Sequence, residues 1–96
     1  MQNELFEWDD VKAQTNKAKH RISFEAAIRI FDVDATIDDP DLTMDYGEDR
    51  FRAIGMVNGV VIAVSYTMRG LRRRIISARK ATRTEEQDYA EQNRTS

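Results

Sequence analysis

The dipeptide Asn58-Gly59, set between two apolar-rich runs, constrains this chain more than any other feature. A two-residue hairpin turn needs positive φ at both central positions, which asparagine and glycine tolerate. A loop there pairs Val57 with Val60. It sets Phe51 opposite Tyr66, Arg52 opposite Ser65, Ile54 opposite Ala63 and, at the open end, Arg50 opposite Thr67. A second turn at Arg69-Gly70 sets Thr67 opposite Arg72, Ser65 opposite Arg74 and Val64 opposite Ile75. From residue 50 onward the chain is therefore expected to form a three-stranded antiparallel sheet.

Directly opposed residues share a face, and side chains alternate faces along each strand. One face then carries Phe51, Ala53, Val57, Val60, Ile62, Val64, Tyr66 and Ile75, with Arg73 at its margin, and reads as the core. The other face carries Ile54, Met56, Val61, Ala63 and Ile76 at one end. At its other end it carries Arg50, Arg52, Ser65, Thr67, Arg72 and Arg74. A C-terminal helix from about Thr82 to Gln92, capped by Ser77, Thr82 or both, with Thr82 and Glu85 fitting a capping box, is expected to cover the apolar half.

Ahead of the sheet, Leu5-Phe6-Glu7-Trp8 suits a short strand, and Asp9 suits the N-cap of a polar helix reaching about Lys19. Ser23 caps a second helix, in which Phe24, Ala27, Ile28 and Phe31 form one apolar face over the sheet. Residues 32–49 read as a short strand or irregular loop anchored by Ile37, Leu42 and Met44. The expected class is α+β, with two N-terminal helices packed on an antiparallel sheet and a helix closing the chain. A length of 96 residues fits one domain over 1–96, with a flexible tail from about 92.

Composition removes several classes of function. There are no cysteines and one histidine, so thiolate and paired-histidine metal sites are excluded, and no metal or cofactor is expected. The longest apolar run, Val60 to Val64, is too short to span a membrane, and the acidic N-terminus is no secretory signal. A cytoplasmic protein without membrane contact is expected. The net charge of −2 conceals strong segregation: residues 31–49 hold eight acids and no base, and residues 50–83 hold nine bases and no acid. Local field captures a polyanion where net charge does not.

Like charges opposed across strands destabilise a sheet, so the clustered arginines call for an anionic partner. Guanidinium forks match phosphate bidentately, and the hydroxyls of Ser65 and Thr67 add neutral donors. The alternatives are that the segment 32–49 folds over this face and neutralises it, or that the arginines are simply solvated. Phe51 and Tyr66 fall on the core face, so the arginine face suits clamping of a nucleic-acid backbone better than stacking of bases. His20, at the end of the first helix, is either a C-capping residue or a proton donor and acceptor. Lys12, Asn16, Lys19 and His20 share a helix face, which is either solvated or a second wall of the same site. Arg79 and Lys80, where the last strand approaches the last helix, suit a further anion contact.

Phe6-Glu7-Trp8-Asp9, Lys12, Asn16, Lys19-His20, Ile22-Ser23-Phe24-Glu25-Ala26-Ala27 and Phe31-Asp32 resemble the N-terminal signature of the BrnT toxin family. The resemblance continues in order through Glu48-x-Arg50, Gly55, Thr67-x-Arg69-Gly70, Arg74 to Ala81 and Glu85-x3-Tyr89, covering roughly residues 5–91. It implies a RelE-like α+β fold and a type II toxin that cleaves RNA and halts translation. It also implies a BrnA-like ribbon-helix-helix antitoxin as partner, with promoter DNA contacted only through that antitoxin. Arg21 stands where the family usually has glycine, Glu86 and Asp88 make the last helix acidic, and the 38–49 segment is unusually charged.

Residue type and placement give the expected roles for metal-independent RNA cleavage. Arg69 and Arg79 stand near the scissile phosphate, and Arg50, Arg52 and Arg74 hold flanking phosphates. Lys12, Lys19, Ser65, Thr67, Arg72 and Lys80 supply further RNA contacts. His20 is the general acid or base, with Glu48 as the alternative base. The competing expectation is a non-catalytic module whose arginine face only receives an acidic antitoxin segment.

Overall fold

The computed structural model describes residues 1–43, 45 and 47–94. Elements follow in the order β1 (Phe6–Glu7), α1 (Asp10–His20), α2 (Phe24–Ala27), a 3₁₀ turn (Ile28–Asp32), β2 (Ile37–Pro40), β3 (Phe51–Val57), β4 (Val60–Arg69), β5 (Arg72–Lys80) and α3 (Arg83–Gln92). The fold is α+β, with three helices around one five-stranded sheet of order β1-β5-β4-β3-β2. Among the described residues no helix is long and apolar enough to cross a membrane. The expected anchor Met44 and the last two residues of the expected tail lie outside the described residues.

The first hairpin has the expected register, with Phe51 opposite Tyr66, Arg52 opposite Ser65 and Val57 opposite Val60. Asn58 and Gly59 both take positive φ, 52° and 79°. The second hairpin differs. Its turn is Gly70-Leu71, with Arg69 opposite Arg72, Thr67 opposite Arg74 and Tyr66 opposite Ile75. Gly70, at φ 61°, takes the first central position, the one a type II′ turn reserves for glycine, and the pairing moves two residues from the expected one. A two-residue shift preserves the face of each side chain, so Arg72 and Arg74 remain opposite the core.

Beyond Ile75 a bulge breaks the alternation, and Ser65 pairs with Ser77, Ala63 with Arg79 and Ile62 with Lys80. Ile76 therefore has no partner on β4 and does not join the apolar end of the outer face. The bulge also turns Arg79 outward, onto the face of Arg52 and Arg74, while Lys80 falls on the inner side.

The core lies between the inner face and α2 with its 3₁₀ continuation. Phe24, Ala27 and Ile30 are all fully buried. Their spacing of three is that of the 3₁₀ turn into which α2 tightens, so Ile30 takes the buried place expected for Ile28. Ile30 fits because Gly55 lies beneath it: a Cβ there would meet Ile30 Cβ at 2.8 Å and Thr36 Oγ1 at 2.7 Å. Trp8 packs edge-on to Phe24 at 5.6 Å, and Tyr66 stacks on Phe51 and meets Phe31 edge-on, each at 5.3 Å.

β1 adds to β5 in parallel, Phe6 beside Arg73 and Glu7 beside Arg74. Past β1 the edge of β5 is closed by a side chain. Asn16 of α1 is buried, donates from Nδ2 to the Ala78 carbonyl at 2.8 Å and accepts at Oδ1 from the Ala78 N–H at 3.1 Å. It is thus an edge-sealing residue and not an exposed member of a phosphate-binding helix face. The N-terminal part of α3 lies over the outer face, where Ile54 and Ala63 are buried, and at its end Asn93 Nδ2 donates to the Ala35 carbonyl at 3.0 Å.

Candidate functional site

The outer face gathers Arg52 from β3, Ser65 and Thr67 from β4, and Arg72, Arg74, Ser77 and Arg79 from β5. Carboxylates from separate parts of the chain reach into it. Glu85, in the first turn of α3, receives Arg79 bidentately, Nη1 to Oε1 at 2.6 Å and Nη2 to Oε2 at 3.1 Å. Arg52 Nε stands 3.5 Å from the same carboxylate. The Oε1 atom also accepts from the Thr82 N–H at 2.9 Å, and Thr82 Oγ1 accepts from the Glu85 N–H at 3.2 Å. The capping box that starts α3 therefore also holds two arginines in place.

Glu85 is 6% exposed. Burial pushes its carboxyl upward, but the Arg79 bonds, the Thr82 N–H and the charges of Arg79 and Arg52 outweigh it and hold the group below its ordinary value. Its bonds with Glu85 in turn raise the pKa of Arg79.

A second group forms where the acidic segment returns to the sheet. Glu48 stands 3.5 Å from Arg50 and 3.7 Å from Arg69. Thr67 Oγ1 donates to the Asp49 carbonyl at 2.6 Å, and the Asp41 N–H donates to the Arg50 carbonyl at 2.7 Å. The Asp41 carboxyl is held low by bonds from the Thr43 hydroxyl and N–H, with smaller help from Arg52 and Arg50. Among the described residues, the 32–49 segment reaches the outer face through Asp39, directly across from Arg52, and through Asp41, Glu48 and Asp49 at its end. Asp38 goes elsewhere, accepting from Tyr66 Oη at 2.5 Å and standing 3.7 Å from Arg73 on the core side. Burial and that bond push the Tyr66 hydroxyl up to about 12, so it stays protonated near neutrality.

At the far margin Arg74 Nη1 meets Glu7 Oε2 at 2.6 Å, and Arg72 Nε donates to the Asn3 carbonyl at 2.6 Å. Lys12, Lys19 and His20 line a groove between α1 and β5 whose other wall includes Ile76 and Ser77. Ser77 is the cross-strand partner of Ser65, so this groove opens beside the arginine face. His20 also borders a second groove, with Lys80, on the inner side of the sheet.

Of the expected site residues, the structure joins Glu48, Arg50 and Arg69 in one group and Arg52 and Arg79 in another. It places Arg72, Arg74, Ser65 and Thr67 on the same face. It does not bring His20 into either group, and it sets Lys80 on the other side from Arg79. Sequence reasoning missed Glu7, Glu85 and Ser77 as members of the site, and held Asp41 only within the alternative that the 32–49 segment folds over this face. The Thr82–Glu85 capping box marked Glu85, but only the bulge in β5 brings Arg79 within its reach. Among the described residues no group of three His, Asp or Glu side chains is placed to hold a metal ion.

A protein-family model described as "Ribonuclease toxin, BrnT, of type II toxin-antitoxin system" matches residues 8–85. A comparison with curated proteins finds no match.

Proposed function

The chain belongs to the BrnT family of ribonuclease toxins of type II toxin-antitoxin systems, and from that premise we propose that it cleaves RNA without a metal ion on the arginine face of its sheet. The observation that carries this reading is the Arg52–Glu85–Arg79 arrangement. Two guanidiniums are held on one nearly buried carboxylate beside an open face with further arginines and hydroxyls.

In such a cleavage the 2′-hydroxyl loses its proton and its oxygen attacks the adjacent phosphorus. The bond from phosphorus to the 5′-oxygen breaks, and a proton passes to that oxygen. The products are a 2′,3′-cyclic phosphate and a 5′-hydroxyl. Preorganised guanidiniums stabilise the charge that develops on the phosphoryl oxygens, and here arginine supplies it. Arg79 and Arg52 take the scissile phosphate, while Arg69, grouped with Glu48 and Arg50 six residues along β4 from the partner of Arg79, takes a neighbouring phosphate with Arg50, Arg72 and Arg74. Ser65 adds a neutral contact, whereas Thr67, buried and donating its hydroxyl to the Asp49 carbonyl, positions the end of the acidic segment; Lys12 and Lys19 attract the strand along α1.

Glu48 stands among the arginines and takes the base role. His20 serves as the acid where the strand bends into the groove it shares with Ser77. Full activity in His20→Ala would leave the histidine only a capping role. The same reading takes the layout of helices and sheet as RelE-like. It takes the partner as a BrnA-like ribbon-helix-helix antitoxin, through which alone promoter DNA is contacted.

One observation favours the competing reading, a non-catalytic antitoxin-binding module. Arg50, Arg52, Arg69, Arg74 and Arg79 all face carboxylates within the chain. Incubating the purified chain with RNA in excess chelator separates the two. The proposal predicts cleavage with cyclic-phosphate ends, reduced about a hundredfold or more in Arg79→Ala. Intact RNA with and without added divalent cations selects the module, and cleavage that requires the cation contradicts the metal-independent route.

A further inference from the structure

On the inner side of the sheet a groove of about 400 Å³ runs between the end of α1, the start of α2 and the β3–β4 hairpin. Its floor is aliphatic, made by Ile22, Val57, Val60 and Ile62. Its rim carries Lys17, Arg21 and Lys80, with His20 beside them, and no carboxylate lines it. Val60 has the strand parity of the core yet is 41% exposed, because α2 stops short of the hairpin end.

The two basic surfaces of the molecule are built differently. Of the outer arginines, Arg52, Arg69, Arg74 and Arg79 meet carboxylates of their own chain. Lys17, Arg21 and Lys80 make no ion pair among the described residues. Arg21 also keeps a left-handed backbone, φ 61° and ψ 27°, a conformation that glycine adopts more easily. Strain retained at a groove rim points to a side chain that is used.

An aliphatic floor within a rim of unpaired cations selects a ligand that offers both aliphatic side chains and negative charge. RNA brings the charge but has no aliphatic groups to cover an aliphatic floor, and the planes on which a base could stack, His20 and Arg21, stand at the rim and not on that floor. We propose that the groove docks an acidic segment bearing aliphatic side chains from a partner protein. This rests on the reading above, under which the partner is the antitoxin. Such a segment covers His20 and leaves the outer arginine face open.

The test uses the full chain and its antitoxin, with hydrogen exchange to locate the contact and a binding titration of Lys17→Glu and Val60→Asp. Neither residue belongs to the proposed cleavage site, so both variants should still degrade RNA when induced alone, which also reports that they fold. We expect protection over residues 17–26 and 57–62 in the complex, and binding weakened on the order of tenfold or more in both variants. Protection confined to the outer face and α3, with unchanged binding by the variants, overturns the proposal. Protection of the groove by an oligouridylate and not by the antitoxin overturns it in favour of a second RNA site. If the parent chain degrades no RNA yet binds the antitoxin with the expected footprint, the ribonuclease reading falls and the docking site stands. If it degrades RNA and the variants bind the antitoxin as the parent does, the reverse holds.

Discussion

Glu85 serves the fold and the site at once: its side chain caps α3 and fixes the positions of Arg79 and Arg52. A buried carboxylate that loses a hydrogen-bonded cation is costly, on the order of several kcal/mol. Arg79 is therefore oriented before any ligand arrives, which is what electrostatic catalysis of phosphoryl chemistry requires. Arg21 shows the opposite balance. It closes α1 by donating its N–H to the Lys17 carbonyl at 2.8 Å, from a left-handed conformation that disfavours any side chain. Arg21→Gly should raise stability by about 0.5–1 kcal/mol, the relieved strain being partly offset by a freer unfolded chain. A thermal melt that stays the same or falls would show that the Arg21 side chain stabilises the fold by more than its backbone strain costs.

At the scale of elements, the bulge in β5 decides which residues meet. Without it, Arg79 would share the core side with Arg73 and Ile75, and Glu85 would have no cation to hold. The hairpin at Asn58-Gly59 was legible because a two-residue loop and an alternating pattern determine each other. The bulge was not, because Arg74 to Lys80 reads equally well as a continuous strand, and only the closing of α3 onto the outer face selects the extra residue. Asn16 was misread for a related reason: its helix face is polar whether it meets water or the backbone edge of a neighbouring strand. Phe24, Ala27 and Ile30 bury at intervals of three because the helix tightens over Gly55, where there is no room for a Cβ. Gly55→Ala should therefore cost about 1–3 kcal/mol by overpacking against Ile30 and Thr36, measured by urea denaturation. An unchanged midpoint would mean that the 3₁₀ turn shifts freely, contrary to this packing.

Across the whole molecule, the acidic and basic segments that are separate along the chain meet on the outer face of one sheet. The class of fold, the two faces and the convergence of arginines were readable from alternation alone. Two of the carboxylates that hold those arginines were not: Glu7 lies 67 residues from Arg74, and Glu85, although six residues from Arg79, reaches it only because of the bulge in β5. These pairs tie stability to pH. The carboxyl of Glu85 is depressed in the folded state, so its contribution is full above the ordinary value of 4.5 and is lost as pH falls through the folded value. Asp41, also depressed, acts in the same direction from an ordinary value of 3.8. Denaturation measured at neutral pH and near pH 3 should show a loss of stability in the parent that is smaller in Glu85→Gln. An equal loss in both would remove Glu85 from the acid response.

The proposed function requires that this sheet face break RNA through its preorganised arginines. Its most direct test is total RNA from bacteria in which the chain or Arg79→Ala is induced, with both proteins checked for soluble, cooperatively melting fold. We predict growth arrest with RNA decay for the parent and intact RNA for the variant. Equal decay from a folded Arg79→Ala would contradict the assignment of the arginine face, and intact RNA from the folded parent would leave the chain a partner-binding module.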